Sequence, residues 1–376
     1  MKNKNLLILG MGHSQVDLAK IAKDNDINVF ACAKDTSGPV KEYVTDCAEI
    51  DILDIDSIVR YAKEKEIDVV FSAGLEVALD PIAEVSEILN LNTFYSSKDL
   101  AKLKNKATWR EALGDIKGNL KFISGSKASD FEKWNNYPSI LKPVDGSGQR
   151  GVVKISNFKE LIDNFDRSIS FSKSKKLIVE EFADGKEISV NSFMENNELK
   201  FFVMSDRISY EDLPGGIIKE HHIPSDFDYD LLHQAVRELV EIVNKKMNFK
   251  NGHIYFQMKI DGNKIYLIEF TPRFDGCHMW NLINHSMGIN LLQVALENLF
   301  DGESVTLANY SEQKSFKNKY TLKFNSDIPN AVVDYDNYSS PENSLYNYWY
   351  YNNGDKVKSV TGILEKIGYD IIKNKV

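Results

Sequence analysis

Residues His253 to Arg273, HIYFQMKIDGNKIYLIEFTPR, read as two strands of alternating apolar residues with a turn at Asp261-Gly262-Asn263. Gln257 lies early on the first strand and Glu269 late on the second, so folding about the turn brings their side chains together. A carboxylate beside a neutral oxygen donor suits a hard cation that also holds phosphate oxygens. Thr271 and Arg273 follow Glu269 at two-residue steps and share its face. That face then offers a carboxylate, two neutral oxygen ligands and a guanidinium. Taken alone, the stretch reads first as a plain solvent-facing hairpin; the sequence upstream changes the balance.

Upstream, YPSILKP (137–143) is a strand that delivers Lys142 inward. It is followed by DGSGQRG (145–151) and a second strand, Val152 to Ile155. Two strands joined by a glycine-rich turn make a flap. Backbone N–H groups at Gly146, Ser147, Gly148 and Gly151 can approach phosphates because glycine leaves no side chain in the way. Lys142 would neutralise phosphate charge. No GK[ST] is present and a strand follows the turn, so this is not a Walker loop. Lys104 and Lys106 open a helix, KNKATWREALGD, ahead of the flap. Beyond it, LIVEEFADGKEISV (177–190) is an apolar strand into Glu180, a turn at Asp184-Gly185 and a new strand near Glu187. Such a segment can read an adenine ring with backbone groups at Glu181 and Ala183, with Glu187 accepting from ribose hydroxyls. It also reads as an ordinary hairpin with exposed acids.

The first hundred residues alternate strand and helix, which predicts a parallel α/β layer. Leu6 to Leu9 is a buried strand, a helix runs to about Asp24, and Ile27–Ala31 and Val69–Phe71 are further strands. Gly10 and Gly12 resemble the start of a dinucleotide fingerprint, but the third glycine is missing and the acidic residue after the second strand is poorly placed, which argues against a nicotinamide site. Gly12, His13, Ser14, Gly74 and Glu76 would lie at the strand ends, where such sheets bind ligands.

The 376 residues allow two or three domains, and the net charge of −9 argues against nucleic acid or an anionic membrane as general partners. Cys32, Cys47 and Cys277 show no CxxC spacing. They predict reduced thiols in a cytoplasm, with neither a zinc site nor a disulfide framework. The apolar run before Gly10 is too short for a signal peptide or a membrane span.

The order of a lysine before a helix, ILKPVDGSGQRGV, VEEFADGKEISV and a hairpin ending IEFTPR resembles the ATP-grasp superfamily. The closest branch is that of carbamoyl-phosphate synthase, biotin carboxylase and the purine-biosynthesis ligases. The resemblance covers roughly residues 1–310. It implies an N-terminal α/β domain (1–100) and a two-lobed ATP-grasp domain (101–310, flap lobe about 120–190). A C-terminal segment (311–376) would pack on the body. It implies ATP and Mg2+, or Mn2+ in its place. Lys106 and Lys142 would bind phosphates and Gly146–Gly151 form the flap. Glu180, Glu181 and Ala183 would form the adenine hinge, and Glu187 would bind ribose. Gln257, Glu269 and Thr271 would hold the metal, although the family usually has asparagine at the last position. Arg273 matches the arginine that holds the acyl phosphate or acid.

Between hinge and hairpin, Arg207 is a candidate carboxylate ligand and Lys219 a phosphate ligand. His221 or His222 would take the proton of an incoming amine. The segment after Arg273 lines the substrate pocket in the family, which makes Asp275, His278 and His285 specificity candidates, with Glu76 beside them. Cys277 reads as a small buried residue. In the tail, Tyr320–Phe324 suggests a strand, the aromatic run Tyr346–Tyr351 packs on the body, and Gly362–Tyr369 reads as a final helix and turn. The leading functional reading is a ligase that activates a small carboxylic acid as an acyl phosphate and joins it to an amine. Behind it stand a purine- or carbamoyl-phosphate-type enzyme using phosphoribosylamine or bicarbonate, and a nucleotide-binding regulator without catalysis. The length excludes a full carbamoyl-phosphate synthase, whose large chain has two such halves. Many members form dimers, so a homodimer is also consistent.

Overall fold

A computed structural model describes residues 1–146, 148–311, 316–338 and 340–375. Strands β1 (Asn5–Leu9), β2 (Asn28–Ala33), β3 (Asp46–Glu49) and β4 (Val69–Phe71) form a parallel sheet in the order β3-β2-β1-β4. Helices α1 (Val16–Asp24), α2 (Ile55–Glu64) and α3 (Leu79–Leu89) alternate with these strands. Leu6 and Ile8 pack with α1 on one face of β1, and Leu7 and Leu9 pack with Ile58 of α2 and Ile82 of α3 on the other. Burial on both faces explains a continuous apolar run where a one-sided strand would alternate.

Two short helices, α4 (Ser97–Leu103) and α5 (Lys106–Leu113), lead into a second sheet. It contains β5 (Phe122–Gly125), β6 (Ser139–Pro143), β7 (Val153–Ile155) and β8 (Leu177–Glu181), antiparallel in the order β5-β8-β6-β7. Helix α6 (Phe158–Ser170) is capped by Asn157, whose side chain accepts from the Glu160 N–H. Its Leu161 packs with Phe131, Leu141, Ile155 and Val179 in a small separate core.

The third sheet has eight strands in the order β13-β12-β9-β10-β11-β14-β16-β15. In chain order these are β9 (Lys186–Glu195), β10 (Glu198–Ser209), β11 (Ile218–Ile223), β12 (Gly252–Asp261), β13 (Lys264–Thr271), β14 (Asn318–Asp327), β15 (Ser344–Trp349) and β16 (Glu365–Lys375). Ile188, Val190, Phe202, Met204, Phe256 and Met258 pack against α7 (Asp230–Met247). The two-residue period of a strand therefore sends Glu187, Ser189, Asn191, Arg207, Tyr255 and Gln257 to the opposite face. Helices α8 (Met279–Met287) and α9 (Leu291–Asp301) follow the hairpin and join the N-terminal core.

Two expectations change here. The stretch 177–190 is not a hairpin: β8 belongs to the four-stranded sheet and β9 to the eight-stranded one. Residues 182–185 carry the chain between them. A Cβ on Gly185 (φ +98°) would lie 2.1 Å from the Ile260 carbonyl oxygen, so only glycine fits this crossing. Nor does the tail end in a helix. Ile367, Tyr369 and Ile371 fall at two-residue steps and are fully buried, the pattern of a strand. β14, β16 and β15 lengthen the large sheet. Among the described residues no helix is long and apolar enough to cross a membrane.

Candidate active site

The hairpin of β12 and β13 pairs Gln257 with Glu269 and Tyr255 with Thr271, the register its alternation and turn predict. Gln257 Nε2 donates to Glu187 Oε2 at 3.1 Å. Glu269 is half-exposed, with Oε1 3.4 Å from Lys106 Nζ. Glu187 also forms an ion pair with Arg207. One face of the large sheet thus holds Glu187 against Gln257, and Glu269, opposite Gln257 in the register, against Lys106. That donor set fits a hard divalent cation.

The four-stranded sheet presents the opposite arrangement. Lys142 on β6 lies 2.6 Å from Glu180 Oε2, and the other oxygen of Glu180 is 2.5 Å from Arg110 Nε. Arg110 is fully buried and also donates to the carbonyls of Leu267 (3.1 Å) and Ile268 (3.2 Å). Burial alone would raise the Glu180 carboxyl, but Arg110 and Lys142 outweigh it and hold it at about 2. Burial lowers the Lys142 ammonium, and Glu180 opposes that. The Glu180 side chain is therefore an interior counter-ion. Any hinge role left to this residue rests on its backbone.

Lys106, at the first position of α5, connects the two sheets. Its Nζ donates to the Gly146 carbonyl at 2.8 Å while facing Glu269. Gly146, Gly148 and Gly151 form the turn between β6 and β7, and Ser147 lies outside the described residues. Lys104, by contrast, makes a surface pair with Asp80 at 2.9 Å. At the crossing, Glu181 N–H donates to the Lys121 carbonyl and Phe182 N–H to that of Pro138, both at 3.0 Å. The Phe182 ring lies under the ammonium groups of Lys154 and Lys259, at 3.7 and 5.3 Å, joining β7 to β12. Ala183 is buried beside it.

Arg273 Nη2 donates to Glu76 Oε2 at 3.0 Å. Glu76 lies just after β4, so the strand ends of the parallel sheet meet the end of the hairpin, where the sequence places them. Arg207 is held by Glu187 rather than free for a carboxylate. Lys219 is half-exposed, 3.6 Å from Glu220.

The remaining candidates lie as follows. His221 is fully buried, neither ring nitrogen has a partner among the described residues, and burial pushes its pKa to about 3. Asp275 and Cys277 lie within 4.8 Å of the ring, so this imidazole is covered in the structure. His222, on the other face, is 3.0 Å from Glu220 Oε2. His278 is buried in a ring cluster, stacked 4.8 Å from Tyr369 and 5.7 Å from Tyr350. His13 joins that cluster, 4.7 Å from Tyr350, and burial pushes its pKa to about 4. His285 lies against Tyr346 at its edge. Asp275 is buried, accepts the Cys277 N–H at 3.0 Å through Oδ1, and has no partner for Oδ2 among the described residues.

Sequence reading passed over Arg110, Asn191 and Tyr255. Arg110 follows Lys106 at a four-residue step on one helix, a spacing that puts both on one face. Asn191 and Tyr255 occupy inward positions of apolar strands, where a polar residue is a signal in itself. Asn191 is buried with both amide atoms unpartnered among the described residues.

Residues 135–280 match the model of a family described as the ATP-grasp domain. Phosphoribosylamine–glycine ligase from Fusobacterium nucleatum is 24% identical over 292 residues, covering 71% of this chain and 67% of that protein. The carbamoyl phosphate synthase large chain of Caldanaerobacter subterraneus is 21% identical over 252 residues, 63% of this chain but 22% of that one. Among solved structures, phosphoribosylglycinamide synthetase from Anaerococcus prevotii matches 100% of this chain and 95% of its own, with a TM-score of 0.80 at 19% identity. L-amino acid ligase from Bacillus licheniformis covers 100% and 94%, also with a TM-score of 0.80, at 18% identity. The fold is that of the ATP-grasp ligases. The chain carries an ATP-grasp domain, flanked by the parallel sheet before it and the added strands after it.

Proposed function

We propose that this protein is an ATP- and Mg2+-dependent ligase that activates a small carboxylic acid as an acyl phosphate and joins it to an amine, releasing ADP and phosphate. The observation that carries this reading is the position of Lys106. One ammonium group touches the glycine turn, faces Glu269 of the hairpin and sits next to the Lys142 cluster. Phosphate-binding and cation-binding groups therefore converge on one place.

A carboxylate is a poor electrophile. Attack of its oxygen on the γ-phosphorus breaks the bond to the β-phosphate oxygen, leaves ADP and gives the acyl phosphate. The amine nitrogen then attacks the acyl carbon, phosphate departs with the C–O electron pair, and the nitrogen loses a proton. The chain contributes mainly position and charge. Lys142 and Lys106 face the phosphates. Arg110 shares Glu180 with Lys142, so that lysine is only partly neutralised. Arg273, braced by Glu76, holds the carboxylate and then the acyl phosphate. Magnesium, held by Glu269 and Gln257 with Thr271 beside them, would supply further neutralisation of phosphate charge. Three free cysteines agree with a reducing cytoplasm.

A second reading takes a phosphorylated sugar amine as the nucleophile, and the names of the sequence relatives favour it. ADP release with ATP and Mg2+, measured over a panel of small acids with and without amines, decides. The panel includes glycine as acid and phosphoribosylamine as amine. Turnover that needs both an acid and an amine establishes the ligase, and the effective amine chooses between the readings. ATP binding with no turnover for any pair overturns it in favour of a nucleotide-binding regulator.

A further inference from the structure

The face of the large sheet that carries Arg207 continues across β11, where His221 is paired with Arg207 in the register. Next to His221 the chain after the hairpin places Asp275 and Cys277. One imidazole nitrogen, one carboxylate oxygen and the thiol sulfur all lie within 4.8 Å of one another. Among the described residues, hydrogen bonds reach only Asp275 Oδ1 and Cys277 Sγ in this group. Both ring nitrogens of His221 and Oδ2 of Asp275 are buried without a partner among the described residues, although both side chains are more than nine-tenths buried. Buried, unpartnered imidazole nitrogens and a carboxylate oxygen beside a thiol call for an occupant.

We propose that His221, Asp275 and Cys277 form a binding site for a borderline-soft divalent metal ion, Zn2+ first, separate from the magnesium position on the hairpin. The donor types decide the class: imidazole and thiolate select zinc or a similar transition ion over magnesium, which takes oxygen. Charge closes as well, since a thiolate and a carboxylate balance a divalent cation and the thiol proton leaves on binding. The surroundings supply the outer contacts such a site uses. Asp275 Oδ1 is fixed by the Cys277 N–H, which leaves Oδ2 to ligate. Lys366 Nζ on β16 donates to Cys277 Sγ at 3.4 Å, a contact that a metal-bound thiolate can keep. Arg207 and Lys366 nearby weigh against a bare cation, and the two anionic ligands offset them. Three protein ligands leave a fourth position open, as in sites that bind water or a substrate group.

The cysteine spacing and the adjacent histidines argue against zinc in the sequence, because the ligands come from β11 and from the segment between β13 and α8. The proposal stands on this geometry whether or not the ligase reading holds. The full chain, stripped of metal, is titrated with Co2+ and with Zn2+ in the absence of nucleotide. We expect one Co2+ per chain, with a sulfur-to-metal charge-transfer band that Zn2+ displaces stoichiometrically. The band disappears in Cys277→Ser, and Co2+ affinity falls in His221→Gln and Asp275→Asn. Circular dichroism checks that each variant is folded. Should one variant not fold, the other two still decide. A wild-type chain without the band, or a band that persists in folded Cys277→Ser, overturns the site.

Discussion

Two charged regions meet in the candidate active site, and they are built on opposite principles. On the small sheet, Arg110, Glu180 and Lys142 form a buried row in which every charge has a partner. On the hairpin, Glu269 is half-exposed and shares its surroundings with Gln257, Glu187 and Lys106. In the first region, water is excluded and electrostatic energy fixes geometry. In the second, solvent access leaves donor atoms free to exchange partners. The buried row should therefore govern stability and the placement of Lys142. The hairpin should govern turnover and leave stability nearly untouched.

The largest expected effect breaks the buried row. Glu180→Ala leaves two cations without their counter-ion and should cost about 3–5 kcal/mol in urea unfolding. A cost below about 1 kcal/mol would show that the row is solvated. Glu269→Ala should lower ADP formation by at least about 100-fold, the size expected when charge stabilisation of a transferring phosphoryl group is lost, with an unchanged unfolding midpoint. Undiminished ADP formation by the folded variant removes the metal assignment. Lys142→Ala should weaken ATP binding by about 10–100-fold in calorimetry, the loss of one charge-assisted contact. Lys104→Ala is its control. Its pair with Asp80 is exposed, and the change should stay within about 0.5 kcal/mol with ATP affinity unaltered.

A further effect is one of pH. His253 stacks on Phe274 at 4.2 Å, and burial pushes its pKa from the ordinary 6.5 to about 3. Between those values the unfolded chain binds a proton that the folded chain does not. Stability therefore falls as pH drops below about 6.5. The slope from this one group approaches about 1.4 kcal/mol per pH unit. His253→Gln should flatten the stability curve between pH 6 and pH 4.5 by that amount in urea titrations. An unchanged slope would mean that the ring is protonated in the fold.

Much of the site was legible in the chain because its signals are local. Alternation and the Asp261-Gly262-Asn263 turn fix which residue faces Glu269, and no distant contact is needed to read it. The same holds for Lys106 at a helix start and for the glycines between β6 and β7. The crossing at 182–185 was half-legible: its turn residues were visible, but not that its two strands join different sheets. In the tail the alternation of Tyr320, Leu322 and Phe324 predicts the strand β14, whereas 362–369 forms no helix because its residues from 365 onward pair with β14 as part of β16.

By itself, then, the sequence determined the parallel N-terminal sheet, the glycine turn, the hairpin and its register, and with them the ATP-grasp class. These follow from periods of two and 3.6 and from turn chemistry, which act over a few residues. Tertiary structure alone decided which charges cancel. Glu180 meets Arg110 across 70 residues. His221 is buried, and Asp275 and Cys277 come to it from the far end of the hairpin. Pairings at that separation depend on how three sheets pack, and no local pattern carries that information.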